Sequence, residues 1–303
     1  MRRPDFLCIG AMRAGTTTLW DMLGRHPRVW MPTVRKEIHF FDNRDGGWDK
    51  GLDWYAAHFD AAPADAVAGE ITPNYLFFPE ACPRIAETLP DVQLIVMLRD
   101  PVKRAWSHYT RSRRKGFERL PIMEALDAEA DRLATTDHAP RAQFSYVARG
   151  RYVEQLQRFE AAFGRDRMLV FCLEELVRQP EAMMRQVLSH IDADQPGDAA
   201  APVYQLPHRN NQDTHPRFNR LEAASVKAQK WGRAHRWPFG WATKKAAHTI
   251  RKFNAQPGQP AIPPDVHARL RDAFGASDAE LATWLGRPLP WESAAPTPDR
   301  LND

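Results

Sequence analysis

The chain has 303 residues, of which 43% are hydrophobic and 26% charged, with a formal net charge of +4. No apolar run approaches the roughly 18 residues needed to span a bilayer, so an integral membrane protein is excluded and a soluble protein with one main domain is expected. Three cysteines, Cys8, Cys82 and Cys172, are odd in number and lack metal-ligand spacing, which points to reduced thiols and a cytoplasmic location rather than a disulfide framework.

The amino end MRRPDFLCIGAMR carries two arginines, but Asp5 interrupts it and the apolar run Phe6 to Ile9 is too short for a signal peptide. Asp5 to Met12 therefore reads as a first strand, and Thr16 to Leu23 as a helix broken by Gly24 and Pro27. The turn between them, within GAMRAGTTTLW, has Gly10 and Gly15 spaced as in a nucleotide-binding G-x4-G loop. The lysine of that pattern is missing: Thr16 stands in its position and the nearest cation, Arg13, lies inside the loop. Backbone N–H groups of Ala14, Gly15, Thr16 and Thr17 at a helix start are expected to converge on an anion, with hydroxyls from Thr16, Thr17 and Thr18 beside them. A solvated glycine turn without a ligand is the alternative.

The next chemistry-bearing segment is VRKEIHFFD, residues 34–42. Glu37 and His39 are two apart, so in an extended segment they point to one side, and a carboxylate there can take a proton from an attacking hydroxyl or amine. The alternative is that Glu37 only pairs with Lys36 or Arg35 and that His39 is a packing residue.

Ala66 to Glu70 reads as a short strand, followed by the turn ITPNY and a helix opened by Pro79 and closed by Pro90. Val92 to Leu98, VQLIVML, is a continuous apolar run of the kind a parallel sheet buries. It ends at Arg99, and Asp100 with Pro101 then supplies a cap and a first-turn proline for a helix reaching Gly116. Arg99 and Ser107 on this element are expected to face a common crevice and grip a second phosphate, the arginine as a fork and the serine by one hydrogen bond. Two anion sites suggest a nucleotide phosphorylated at two positions.

From Tyr152 the residues Leu156, Phe159 and Phe163 form one stripe of a helix stopped by Gly164; Met168 to Leu173 reads as a further core strand, and a helix beginning at Pro180 buries Met183, Met184, Val187, Leu188 and Ile191. Such alternation implies right-handed βαβ units and a mostly parallel sheet covered on both faces, with ligands bound beyond the carboxyl ends of its strands. After about Ala193 the pattern loosens into an excursion over the active face. Helices return at Pro263 to Phe274 and Ser277 to Leu285, and a frayed tail ends the chain.

Taken together, the loop at Arg13, Ala14, Gly15 and Thr16, the KEIHFF segment at Lys36 to Phe41, and the RDP segment with Ser107 and Tyr109 resemble the sulfotransferases that use 3′-phosphoadenosine 5′-phosphosulfate. The likeness is to the branch holding the heparan sulfate O- and N-sulfotransferase domains and their bacterial relatives. GRYVEQLQRFEAAFGRDRMLVFCLEEL and LGRPLPW are similar to later motifs of the same family, so the resemblance covers most of residues 4–192 and resumes weakly at 262–291.

That resemblance implies a P-loop-NTPase-like three-layer α/β sandwich and a core over residues 1–192. Residues 193–291 would supply acceptor-side loops and C-terminal helices of the same domain, and 292–303 a tail. It implies 3′-phosphoadenosine 5′-phosphosulfate as sulfuryl donor and no required metal. In the roles carried over, Glu37 is the general base and Arg13 stabilises the departing bridging oxygen. Arg13, Ala14, Gly15, Thr16, Thr17 and Thr18 with Arg99 and Ser107 hold the nucleotide, and His39 shapes the site or relays a proton.

Two departures matter. Arg13 stands where the family has lysine, and Ile71 in EITP stands where the heparan branch has lysine, which puts a heparan-like acceptor in doubt. The acceptor is a hydroxyl or, second, an amine on a glycan, lipid or small molecule. A small-molecule kinase of similar fold would need the absent loop lysine and Mg²⁺, and a non-catalytic nucleotide-binding relative is the other alternative. The span from Lys227 to Lys252 has eight Lys/Arg and no acid, with Trp231, Trp237, Phe239 and Trp241 among them. It reads either as a contact with a membrane surface, an amphiphilic acceptor or an anionic oligosaccharide, or as a surface helix pair with buried tryptophans; no nucleic-acid motif accompanies it.

Overall fold

A computed structural model describes residues 2–33, 35–194, 206, 214–216, 249, 255–257 and 260–292. The basic span at 227–252 falls, apart from Thr249, outside the described residues, as does most of the excursion after Ala193.

Five strands, β1 (Phe6–Gly10), β2 (Val29–Trp30), β3 (Val67–Ile71), β4 (Gln93–Leu98) and β5 (Met168–Cys172), form one sheet in the order β2-β3-β1-β4-β5. Every pairing is parallel, with Phe6 opposite Gly69 on one side and Gln93 on the other. Helices cover both faces because each central strand is apolar on both. Leu7, Ile9, Leu94 and Val96 pack toward Ile85, Leu156 and Phe159, while Phe6, Cys8, Ile95 and Met97 pack toward Leu19, Met22, Met184 and Val187. Each fully buried aliphatic side chain contributes about 1.5–3 kcal/mol of transfer free energy, so the run in β4 is stable only between two helical layers.

The helices supplying those layers are α1 (Thr16–Leu23), α2 (Gly51–Ala56), α3 (Ala81–Thr88), α4 (Pro101–Lys115), α5 (Ile122–Asp127), α6 (Glu129–Leu133), α7 (His138–Phe144), α8 (Tyr152–Phe163), α9 (Leu173–Arg178), α10 (Pro180–His190) and α11 (Pro264–Leu285). The punctuation read from the sequence acts as expected on α4. Asp100 accepts the Val102 N–H at 3.0 Å, and Gly116 closes the helix with a positive φ of 74°. A separate antiparallel ribbon pairs β6 (Thr214–Pro216) with β7 (Ala255–Pro257).

One strand escapes the sequence and one expectation is corrected. The two-residue strand β2, on the sheet edge beside β3, has too little periodicity to stand out in sequence. The C-terminal helices at Pro263 to Phe274 and Ser277 to Leu285 are one helix, α11, that runs through Gly275. A glycine inside a helix costs about 1 kcal/mol against alanine. Here Val266, Leu270, Phe274, Asp278 and Leu281 stay buried along one continuous stripe, so packing on both sides of Gly275 outweighs that cost. Around α11 the chain is tied back to the core. Trp106 Nε1 donates to Pro260 O at 2.7 Å, Trp284 Nε1 to Glu160 at 2.7 Å, and Arg271 lies 3.2 Å from Asp100.

Candidate active site

The carboxyl ends of β3, β1 and β4 are neighbours, and the chain leaving them is stitched together by its own backbone. Ala11 N donates to Met97 O at 2.7 Å, Thr72 N to Cys8 O at 3.1 Å, and Leu76 N to Ile9 O at 2.9 Å. Gly15 precedes α1 with φ 88°, and a Cβ there would lie 2.7 Å from the Leu173 side chain, so both the conformation and the space require glycine. The amides of Gly15, Thr16 and Thr17 sit where a helix start leaves donors without intrahelical partners. Ala14 differs from the sequence expectation, because its N–H donates to Ala11 O at 3.1 Å and serves the turn, as the Thr18 N–H does by donating to Gly15 O at 2.8 Å.

Arg13 has a left-handed φ of 71°, which costs a non-glycine residue about 1–2 kcal/mol, and it is held from the neighbouring strand end. Arg99 Nη1 donates to Arg13 O at 3.2 Å, and Arg13 Nε donates to Ser107 Oγ at 2.7 Å. Residues 13, 99 and 107, drawn from a loop, a strand end and a helix, therefore form one connected group. The sequence places Arg13 and Ser107 at opposite ends of a ligand, yet in the structure they bond each other.

From the other side Lys36 reaches the loop, its ammonium donating to Thr17 Oγ1. Glu37 feels the Lys36 charge, but its hydrogen-bond partner is a different residue. Glu37 Oε2 lies 3.1 Å from His39 Nε2, and His39 Nδ1 lies 3.0 Å from Asp42 Oδ2. The two side chains meet although the segment is not a plain extended strand, since His39 itself has φ 59°. Asp42, fully buried, also receives His138 Nε2 at 3.0 Å and Asn74 Nδ2 at 3.0 Å, and Arg149 donates to Asn74 Oδ1 at 3.1 Å.

Charge follows from these contacts. Burial opposes ionisation of His39, but hydrogen bonds to Asp42 and Glu37 and their negative charges outweigh it and raise the imidazolium pKa to about 9. Burial likewise opposes ionisation of Glu37, yet the His39 hydrogen bond and the charges of His39, Lys36 and Arg111 hold its carboxyl below the usual range. Asp42 is held low in the same way, against burial, by His138, His39 and Asn74. Near neutral pH the trio is thus carboxylate, imidazolium, carboxylate. Arg44 Nη1 lies 3.0 Å from the same His39 Nε2, a contact that suits only a neutral ring accepting at that nitrogen. The protonated ring, with Nε2–H on Glu37, is the form the surrounding charges favour.

Glu37 is 40% exposed and so open to a partner from solution. Cations gather beside it. Partial burial and the charges of Arg111, Arg44 and Arg114 push the Lys115 ammonium below its ordinary value, with Glu37 acting in the opposite sense. Ile71 lies fully buried in the core with Phe6, Cys8 and Met97, and the cationic side chains whose charge acts on the glutamate include Lys36 from its own segment and Arg111 from α4.

The sequence reading missed Asp42, Asn74, His138 and Arg149, and gave Lys36 no role beyond a possible ion pair and a place in the KEIHFF motif. A three-residue spacing from His39 was the one available signal for Asp42. His138, 96 residues away from Asp42 in the chain, had none.

A sulfotransferase domain model matches residues 3–220. The chain is 28% identical over 291 residues to the mouse heparan sulfate glucosamine 3-O-sulfotransferase 3B1, covering 95% of this chain and 65% of that protein. It is 38% identical over 109 residues to the membrane-associated sulfotransferase kil1 of Dictyostelium discoideum, covering 35% of this chain and 22% of that one. The chain thus spans less than two thirds of the length of these curated relatives. Among solved structures, a sulfotransferase from Alicyclobacillus acidocaldarius matches with a TM-score of 0.68 and 24% identity over 95% of this chain and 98% of that one, a likeness of fold.

Proposed function

This chain belongs to the sulfotransferase family, and from that premise we propose that it transfers a sulfuryl group from 3′-phosphoadenosine 5′-phosphosulfate to a hydroxyl on a negatively charged saccharide. The observation that supports the donor most strongly is the connected group of Arg99, Arg13 and Ser107 beside the amides of Gly15 to Thr17. Those donors suit a nucleotide with a phosphate at each end: Thr16, Thr17 and the loop amides toward the sulfuryl end, Arg99 and Ser107 toward the 3′-phosphate. Binding would exchange the Arg13 to Ser107 bond for bonds to the ligand.

In this reading Glu37 accepts the hydroxyl proton as the acceptor oxygen bonds to sulfur and the bond from sulfur to the bridging oxygen breaks. A hydroxyl becomes acidic as its oxygen bonds, so a weak base that is already ionised and in place suffices. Arg13 and Lys36 offset the charge left on the bridging oxygen. His39, protonated and anchored on Asp42, orients the Glu37 carboxylate. Arg44, Arg111 and Lys115 beside the base favour an acceptor that carries negative charge of its own. Relatives named for heparan sulfate glucosamine agree with a saccharide.

Incubation with radiolabelled sulfuryl donor and matched anionic and neutral saccharides tests this directly. Label is expected on the anionic saccharides with the native protein and not with Glu37→Gln. Transfer to none of them, or equal transfer by both proteins, contradicts the reading.

A further inference from the structure

Glu70, at the end of β3, is fully buried and belongs to none of the contacts described so far. Its Oε1 accepts hydrogen bonds from the hydroxyls of Tyr55 at 2.9 Å and Tyr75 at 3.0 Å, and its Oε2 accepts one from Thr72 Oγ1 at 2.9 Å. Two of these hydroxyls have a second task. Thr72 Oγ1 accepts the Ile38 N–H at 3.1 Å, and the Tyr75 hydroxyl accepts the Phe40 N–H at 3.1 Å. Ile38 and Phe40 flank His39.

We propose that Glu70 is the positioning residue of the catalytic segment: by fixing which way the Thr72 and Tyr75 hydroxyls point, it holds the backbone on both sides of His39 and thereby aims Glu37. This rests on the reading of Glu37 as the base.

An ionised carboxylate can only accept, so each hydroxyl commits its single proton to Glu70 and turns its lone pairs outward to the two amides. The segment containing Ile38 and His39 lies outside helix and strand, so its amides have no ladder to satisfy them. Buried amides without partners are costly, which makes the two hydroxyls their anchors and Glu70 the anchor of the hydroxyls. Burial pushes the Glu70 carboxyl up to about 7 against the lowering effect of the Thr72, Tyr55 and Tyr75 hydroxyls and the His39 charge. Above that pH the carboxylate form holds the ladder. A carboxamide at this position cannot replace it, because its NH₂ would face a hydroxyl that must then turn its proton elsewhere.

Tyr55 supplies an internal control. Its hydroxyl bonds the same carboxylate oxygen as Tyr75, but accepts none of the amides that flank His39. The experiment compares Glu70→Gln, Thr72→Val, Tyr75→Phe and Tyr55→Phe at pH 8, measuring kcat, donor KM, adenosine 3′,5′-bisphosphate affinity and thermal unfolding. Misaiming a catalytic group by about an ångström costs up to about a hundredfold in rate. The first three variants are therefore expected to lose about tenfold or more in kcat, with donor KM and nucleotide affinity within about twofold of native, while Tyr55→Phe keeps its kcat.

Equal losses in Tyr55→Phe and Tyr75→Phe, or parallel losses of kcat and nucleotide affinity, would overturn the proposal by showing a general packing role. If Glu70→Gln does not fold, the contrast of Thr72→Val and Tyr75→Phe with Tyr55→Phe decides alone. Glu37→Gln distinguishes the two levels. Its inactivity alongside full kcat in the other variants contradicts the assignment to Glu70, whereas its full activity contradicts the base on which that assignment rests.

Discussion

The two sides of the proposed site are built by different means. On one side the loop at Arg13 to Thr17 and the Arg99 to Ser107 segment are the ends of regular elements, so the sheet and two helices determine where their donors lie. On the other side Lys36 to Asp42 is irregular chain with a left-handed residue at its centre, held by side chains that reach it from the turn after β3 and from α7. The first side presents positive charge and backbone donors; the second presents an ordered alternation of carboxylate, imidazolium and carboxylate. Binding an anion needs only a rigid cradle. Moving a proton needs one carboxylate kept ionised, accessible and oriented, and that takes more supporting contacts than a loop end can supply.

Removing the base should separate the two sides most sharply. Glu37→Gln is expected to lower kcat by about a hundredfold to ten-thousandfold, the range for loss of a positioned general base, while nucleotide affinity is unchanged; kinetics and calorimetry on the same preparation check this. The next effect is on stability and confined to the second side. The imidazole of His39, ordinarily at 6.5, is raised to about 9 in the folded chain. Its contribution is therefore complete below about pH 6.5 and lost as pH rises through 9; it amounts to at most about 3.5 kcal/mol, because a tenfold change in proton affinity corresponds to about 1.4 kcal/mol. Urea unfolding from pH 6 to 10 should show that loss in the native protein and not in His39→Asn.

Arg99→Ala tests the first side. Loss of a charged hydrogen-bonding group costs about 1.5–3 kcal/mol, so nucleotide affinity should fall about tenfold to a hundredfold while the pH dependence of stability near 9 remains. The smallest effect is expected at the rim: Arg111→Gln should raise the KM for an anionic acceptor a few-fold, and the difference should shrink in high salt because half-exposed charges are screened.

Legibility in the sequence divides along the same line. The apolar run of β4, the Asp100 and Pro101 start of α4, and the glycines closing α4, α8 and α11 are local signals with local causes. Family likeness then points to Glu37 and His39. It says nothing about what holds them, because the supporting contacts are tertiary: Glu70 acts through Thr72 and Tyr75 on amides about 35 residues earlier in the chain, and Lys36 crosses from its own segment to Thr17. The single α11 escapes notice for a related reason, since whether a glycine ends a helix or is passed through depends on what the next turn packs against.

Central to the proposed reaction is a crevice in which the Gly15 to Thr17 turn and the Arg99 and Ser107 pair hold opposite ends of one nucleotide. Isothermal calorimetry comparing adenosine 3′,5′-bisphosphate with adenosine 5′-phosphate tests it most directly. Single-site binding that weakens about tenfold or more without the 3′-phosphate, with that difference abolished in Arg99→Ala, is the predicted result. Equal affinity for the two nucleotides, or no binding of either, would contradict it.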